Sequence, residues 1–274
     1  PEDEAFSGLD TTWGGLGVNR RLGGTWVLQA SALANSAGTR PPAEEGDQSV
    51  GEVFPDDIPY GYAERSDGAT FGLDLAAGEP RTALRPDDEA LLRVHVSYFD
   101  DWNNASPSYW AGRVSARRFF PLWFTGRTLG LRGMIAWSDP VGPGEIPFQR
   151  MNSNHGLDRF RGYQDFRFTD RGMTLFTAEY RWPIWVTREA LSPGLDFILL
   201  ADAGQVFRQV DQIAIDRLAE SYGFAFEYAG SRGLLARVEF AWSNEDRVIR
   251  FGLVNLLETG FGQLFQGRIM DREP

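Results

Sequence analysis

"MTLFTAEYRWP", residues 173–183, is the stretch that decides the fold. Taken two residues at a time, it puts Phe176, Ala178, Tyr180 and Trp182 on one side and Thr177, Glu179 and Arg181 on the other. Two is the period of a β-strand, whose successive side chains leave opposite faces; a helix would wind the two sets together. A strand of this kind divides an apolar medium from a polar one. The pattern recurs in "LLARVEFAW" (234–242), where Leu234, Ala236, Val238, Phe240 and Trp242 oppose Arg237 and Glu239. In "LLRVHVSYF" (91–99), Leu92, Val94, Val96 and Tyr98 oppose Arg93, His95 and Ser97. In "YGFAFEY" (222–228), Tyr222, Phe224, Phe226 and Tyr228 oppose Gly223, Ala225 and Glu227. Looser versions follow in "TWGGLGVNR", "TWVLQASAL", "TFGLDLA", "YWAGRVSARRFF", "TLGLRGMIAW", "LDFILLADAGQVF" and "VIRFGLVNL". Helical periodicity is absent, and residues 209–218 have room for no more than a short helical turn.

Composition narrows the setting. The chain has 274 residues, a net charge of −11 and no cysteine, and all 27 basic residues are arginine. The length suits one large domain or two small ones. A net acidic chain is a poor default partner for nucleic acid, which needs a basic face. Without cysteine there is no disulfide, thiol catalysis or thiolate metal site. No apolar run reaches the roughly 18 residues of a helical membrane span. The opening "PEDEAFSGLD" has neither the basic start nor the apolar core of a signal peptide, so the front reads as mature or truncated.

Aromatics make up 14% of the chain and gather at strand ends, in "YFDDW", "RFFPLWF", "YRWPIW" and "FAWSNED". Amphipathic rings settle at headgroup level, so a membrane barrel carries such girdles. The connections alternate in length. "LGG", "FTGRT" and "GSRG" are tight, whereas residues 35–68, 139–171 and 208–221 make long connections. Outer-membrane barrels put short turns on the periplasmic side and long loops outside. About 11 strands can be counted, and single-chain bacterial barrels usually have an even number. The expected fold is therefore all-β: a transmembrane antiparallel up-and-down β-barrel of about 12 strands over residues 1–257. The twelfth strand is either missing from the chain or hidden near "YGYAER" (60–65). A soluble β-sandwich also alternates, but it seldom lines up so many Trp and Phe at strand ends.

In this register "LDRFRGYQDFRF" (157–168) lies in a long external loop, with arginines placed beside aromatics in a net acidic chain. Glu179 belongs to the polar, lumenal face of its strand. If Phe197, Leu199, Ala201 and Ala203 face lipid, Asp202 and Gly204 face inward. A carboxylate inside a narrow barrel needs a partner. Arg161 on an infolded loop suits it, because a guanidinium fork binds a carboxylate with two hydrogen bonds. Gly162 lets the backbone turn tightly against a wall. The plainer reading is a solvated loop with incidental arginines.

"RFRGYQDFRFTDRGMTLFTAEYRWPIW", followed by "LLADAGQVF", resembles the C-terminal barrel of the BamA/TamA outer-membrane assembly superfamily, the bacterial surface antigen family. The resemblance covers roughly residues 90–257. It implies that Arg161, Gly162 and Tyr163 are the family's Arg-Gly-aromatic tripeptide, on a loop folded back into the barrel. It also implies that Glu179 is the acid on the next strand, and that Asp202 and Gly204 are the Asp-x-Gly on the strand after it. Family barrels usually have sixteen strands, so the chain also reads as part of a sixteen-stranded barrel. The client-binding POTRA domains of the family are not visible in the sequence. After "RVIRFGLVNLL" comes a tail, residues 258–274, expected on the periplasmic side, with Phe261, Leu264 and Phe265 available to dock on a partner.

Other chemistry finds little footing. His95 and His155 are far apart in sequence, and a lone lumenal His95 reads as a polar wall residue. No carboxylate spacing matches a calcium loop, and no G-x-S-x-G elbow is present. "GGLGVNRRLGG" lacks the helix a phosphate loop requires. No catalytic residue, metal or cofactor is expected. The chain thus reads as a bacterial outer-membrane barrel bounded by lipid, with other envelope proteins as partners and no nucleic acid. Three roles stay open: an anchor or scaffold in an envelope complex, protein insertion or secretion through the barrel, and an outer-membrane enzyme.

Overall fold

The computed structural model describes residues 8–40, 49–53, 55–56, 58–62, 64–78, 88–103, 107–124, 126–155, 160–186, 194–230 and 234–255. The tail expected to dock partners, with Phe261, Leu264 and Phe265, lies outside the described residues.

Eleven strands form one sheet in which every strand pairs with its neighbours in sequence. They are β1 (Gly8–Gly23), β2 (Trp26–Arg40), β3 (Ser66–Gly78), β4 (Ala90–Asp101), β5 (Tyr109–Pro121) and β6 (Thr128–Pro140). They continue as β7 (Gly172–Val186), β8 (Gly194–Phe207), β9 (Ala219–Ala229), β10 (Leu234–Trp242) and β11 (Arg247–Asn255). All neighbouring pairs are antiparallel. Among the described residues helix is confined to one turn at Val50–Val53 and three-residue 3-10 turns, two of them inside residues 209–218.

Alternation dictates what faces what. Register places Phe224 beside Phe240 and Glu227 beside Arg237 across β9 and β10. Ring therefore meets ring on the outer face, with Phe224 and Phe240 stacked at 5.0 Å. Charge meets charge on the inner face, with Arg237 Nη1 3.3 Å from Glu227 Oε2. Cross-strand pairs of both kinds stabilise a sheet. The outer face is apolar and open: Leu73, Phe71, Phe176, Leu199 and Phe251 are all exposed there. Trp123, Phe124, Trp182 and Trp185 crowd the rim where the β5–β6 and β7–β8 connections lie, and the Arg127 guanidinium sits 4.5 Å from the rings of both Phe124 and Trp182. This is the belt that the clustering of aromatics at strand ends implied.

Two expectations need correction. The segment near "YGYAER" does not hide a twelfth strand: the described residues between 60 and 65 form turns. Gly61 has a positive φ of 78°, and this segment is held by the β6–β7 loop, through Phe148 N donating to Tyr60 O (3.1 Å) and Gln149 Nε2 to Gly61 O (3.0 Å), and by β2, through Thr39 Oγ1 donating to Tyr62 O. The inner face is also drier than alternation alone implied. Ile198, Leu200, Ala225 and Ala241 form a buried apolar cluster on the inward side of β8, β9 and β10.

With ten antiparallel pairings in sequence, β1 and β11 run in the same direction. Among the described residues no strand pairs with the outer edge of either. β1 is correspondingly bare, with Leu16 84% exposed.

If the outer face meets lipid, Leu73→Arg lowers folding stability in vesicles by about 2–4 kcal/mol. Ser31→Arg, on the inward face of the adjoining strand, costs less than half of that. Equilibrium unfolding of both variants in phospholipid vesicles checks the difference, and equal losses refute the assignment of faces.

Candidate functional site

The β6–β7 connection, described over residues 141–155 and 160–171, packs against the inner faces of the strands and carries the Arg-Gly-Tyr tripeptide with it. Arg161 is 6% exposed and the Asp202 side chain is wholly buried. Arg161 Nε donates to Asp202 Oδ2 at 2.8 Å and Nη2 to Oδ1 at 2.6 Å, a two-pronged fork. The Arg161 backbone N–H reaches the same carboxylate at 3.2 Å, and Ser221 Oγ donates to it at 3.1 Å. The remaining prong, Nη1, donates to Glu179 Oε1 at 2.7 Å. Charge-assisted forks of this kind are the strong class of hydrogen bond. Burial works against the guanidinium charge. The hydrogen bond and field of Asp202, with the field of Glu179, more than offset it and hold the Arg161 pKa above its usual value.

The lock continues along the inner wall. Glu179 also accepts from Arg237 Nη2 (2.9 Å) and from Arg181 Nη1 (3.2 Å). Arg181 in turn pairs with Glu227, and Arg237 Nη2 reaches Glu239 Oε2 at 2.8 Å. Arg161, Arg181 and Arg237 thus share Asp202, Glu179, Glu227 and Glu239, drawn from the loop and four consecutive strands. Glu179 and Glu227 each serve more than one arginine, whereas Asp202 pairs with Arg161 and Glu239 with Arg237, so the network is joined through Glu179 and Glu227.

Both glycines have steric reasons. A Cβ on Gly162 would lie 2.5 Å from Trp242 O and 2.8 Å from Ser221 Cβ, so only glycine lets the loop press against β9 and β10. A Cβ on Gly204 would lie 2.2 Å from Thr174 O and 2.6 Å from Phe160 Cε1. Gly204 therefore makes room for the Phe160 ring. Phe160 and Tyr163 pack with Met134, Ala136, Met173 and Leu175 in a buried cluster, with Phe168 against it. The Tyr163 hydroxyl donates to Asn244 Oδ1 at 2.8 Å. The loop is further tied to the β10–β11 turn by Arg167 on Glu245 (2.7 and 3.0 Å) and Gln164 on Asp246 (2.6 Å). From β11, Arg250 donates to the backbone carbonyls of Arg161 and Tyr163 and to Asp165 Oδ1 (3.0 Å).

Arg161, Gly162, Tyr163, Glu179, Asp202 and Gly204 therefore meet in one place. Sequence reasoning missed Phe160, Arg181, Glu227, Arg237, Glu239 and Arg250 as members of it. A signal existed for four of these: Arg181, Glu227, Arg237 and Glu239 all fall on polar strand faces. His95 stands apart, with Nδ1 2.8 Å from Asp74 Oδ1 on the neighbouring strand. Among the described residues no cluster of three or more His, Asp or Glu side chains is arranged to hold a metal.

No family model matches the chain, and no curated protein matches it. Among solved structures it is similar to BamA from Haemophilus ducreyi lacking POTRA domains 1–3, with a TM-score of 0.63 and 13% sequence identity, over 89% of this chain and 53% of that one. The fold is BamA-like. At this identity the likeness is one of architecture, an antiparallel up-and-down β-wall of the kind found in an outer-membrane barrel. The chain spans about half the length of the BamA chain it matches.

Removing one partner of a buried ion pair costs about 3–5 kcal/mol, because the other charge is stranded. Arg161→Ala is expected to lose that much folding stability, and Arg161→Lys to recover only part, since an ammonium lacks the fork. Gly162→Ala is expected to destabilise as well, through its clash with the Trp242 carbonyl. Thermal unfolding in detergent, read on gels as the heat-modifiable band shift, ranks the three variants against the parent. A wild-type transition in Arg161→Ala contradicts the lock.

Proposed function

We propose that the chain is the wall of a BamA-like barrel in the bacterial outer membrane, and that it serves as an anchor or scaffold component of an envelope complex. The observation that carries this reading is the infolded loop, fixed by a buried ionic network to the inner faces of β7, β8 and β10. A loop so tightly held favours a filled, stable body over an open conduit. The partners in this reading are outer-membrane lipid on the apolar face and other envelope proteins at the rims, including through Phe261, Leu264 and Phe265 of the tail. No catalytic step, cofactor or metal is assigned.

Lipid cannot satisfy the backbone groups of a bare sheet edge, so a membrane-spanning wall must close. Because β1 and β11 run the same way, antiparallel closure takes an odd number of further strands between them. One would make the twelve-stranded barrel, and five would make the sixteen-stranded barrel usual in the family. The likeness to BamA favours five.

A second reading, insertion or secretion of proteins through the barrel, is favoured by the same likeness and by the edge of β11, which no described strand covers and where a client strand has backbone groups to pair with. Deleting residues 259–274 and purifying the chain in mild detergent separates the two. Under the scaffold reading the intact chain brings envelope proteins with it, the truncated chain loses them, and neither inserts clients into liposomes. If both forms purify as bare monomers and both insert client barrels, the scaffold reading fails and direct insertion replaces it.

A further inference from the structure

Arg161 fixes only one end of the β6–β7 loop. Eleven residues earlier, on the 3-10 turn Phe148–Arg150, a second arginine reaches the far side of the sheet. Arg150 Nη2 donates to the Ser66 carbonyl at 2.6 Å and Nε to Ser66 Oγ at 3.2 Å. Nη1 donates to Asn35 Oδ1. The guanidinium carbon lies 4.5 Å from the centroid of the Phe99 ring. These contacts lie on β2, β3 and β4, whereas Arg161 is held by β7 and β8.

The seat around Arg150 is built rather than incidental. Phe99 is 1% exposed and stacks on Tyr109 at 5.1 Å, and Ile146 from the loop completes that buried cluster, with Met151 packed against it. Gln149 Nε2 bridges the carbonyls of Gly61 and Glu64 at 3.0 and 3.1 Å. Phe148 stacks on Tyr62 with ring centroids 5.8 Å apart. Between the two ends the loop has its own spine. Asn152–Ser153 pairs with Thr169–Asp170, and the wholly buried Asn154 bridges Gln164 O (2.8 Å) and Phe168 N (2.8 Å). From β3 to β8 is five strand spacings, roughly 24 Å along the wall. Eleven residues reach that distance with slack, since an extended chain spans up to about 3.3–3.6 Å per residue.

We infer that this loop is a strap fixed at both ends, and that Arg150 is its second anchor, independent of the Arg161 lock. The two anchors differ in chemistry. Arg161 is held by carboxylates in a shared ionic network. Arg150 is seated on an amide, a hydroxyl, a carbonyl and an aromatic face, with the Asp67 carboxylate within reach of its charge. Neutralising the network therefore loosens the Arg161 end first, and the contacts on β2–β4 stay in place. Removing the Arg150 seat frees the other end alone.

Amide hydrogen exchange read by mass spectrometry on the full chain in detergent micelles tests this. It needs neither partner nor client, so its outcome is separate from the choice between scaffold and insertion. Arg150→Ala and Asn35→Ala are expected to speed exchange at least tenfold in residues 146–153 and 58–66, with residues 160–168 unchanged. Asp202→Asn is expected to do the reverse. Protection of β5, which holds none of the substituted residues, serves as the control for folding, and Arg150→Lys, which keeps charge without the fork, should fall between parent and Arg150→Ala. The inference is overturned if Asp202→Asn loosens both ends together, or if Asn35→Ala and Arg150→Lys leave residues 146–153 as protected as in the parent.

Discussion

The fork between Arg161 and Asp202 is the constraint on which the rest of the site depends. Neither charge is stable alone away from water. A buried carboxylate without a cation is driven to neutralise, and a buried guanidinium has no ready way to do so. Each residue therefore requires the other, and the loop must enter the concave side of the sheet to bring them together. That entry sets further requirements. Gly162 must lack a side chain to slip past the Trp242 carbonyl, and Gly204 must leave space for Phe160. The ionic wall behind the fork, from Glu179 through Arg237 and Arg181 to Glu227, supplies the charge balance that a single pair lacks.

Much of this was legible in the sequence, for a physical reason. Period two assigns a face to every strand residue, so the outward Phe176, Tyr180 and Trp182 and the inward Glu179 and Arg181 follow from chain order alone. The inward placement of Asp202 and Gly204 follows the same way. Alternation gives no height along the strand and no neighbour across it. The Arg181–Glu227 pair depends on strand register and on two strands that are not adjacent in the sheet. The Arg150 seat joins residues 84 and 115 positions apart in sequence, and no local pattern marks it. The dry inner cluster of Ile198, Leu200, Ala225 and Ala241 was missed for a related reason. An inward-facing position says nothing of what else the interior holds, and here the infolded loop lies over β9 and β10 beside this cluster. The segment near Gly61 was open to reading as a strand because its partners, on β2 and on the loop 88 residues away, leave no local pattern.

The two bare edges and the filled interior bear on function in opposite ways. A loop seated by buried charges and aromatics makes this side of the sheet a rigid body. An edge such as β11 is a place where another strand can pair. Arg250 connects the two features, since it stands on the last described strand and grips the backbone of the loop at Arg161 and Tyr163. Loop and edge strand are therefore mechanically linked, and whatever loosens one is felt by the other.

The central claim is that the Arg161 guanidinium and the Asp202 carboxylate stabilise the protein through each other. A double-mutant cycle measures that directly, with Arg161→Ala, Asp202→Ala and the double variant unfolded at equilibrium in the same vesicles. Groups in direct contact within one ionic network couple by about 0.5–3 kcal/mol, and a buried fork belongs at the upper end, about 2–3 kcal/mol. The double variant should then be far less destabilised than the sum of the two single losses. Additivity to within about 0.5 kcal/mol, the behaviour of distant and independent sites, would contradict the lock.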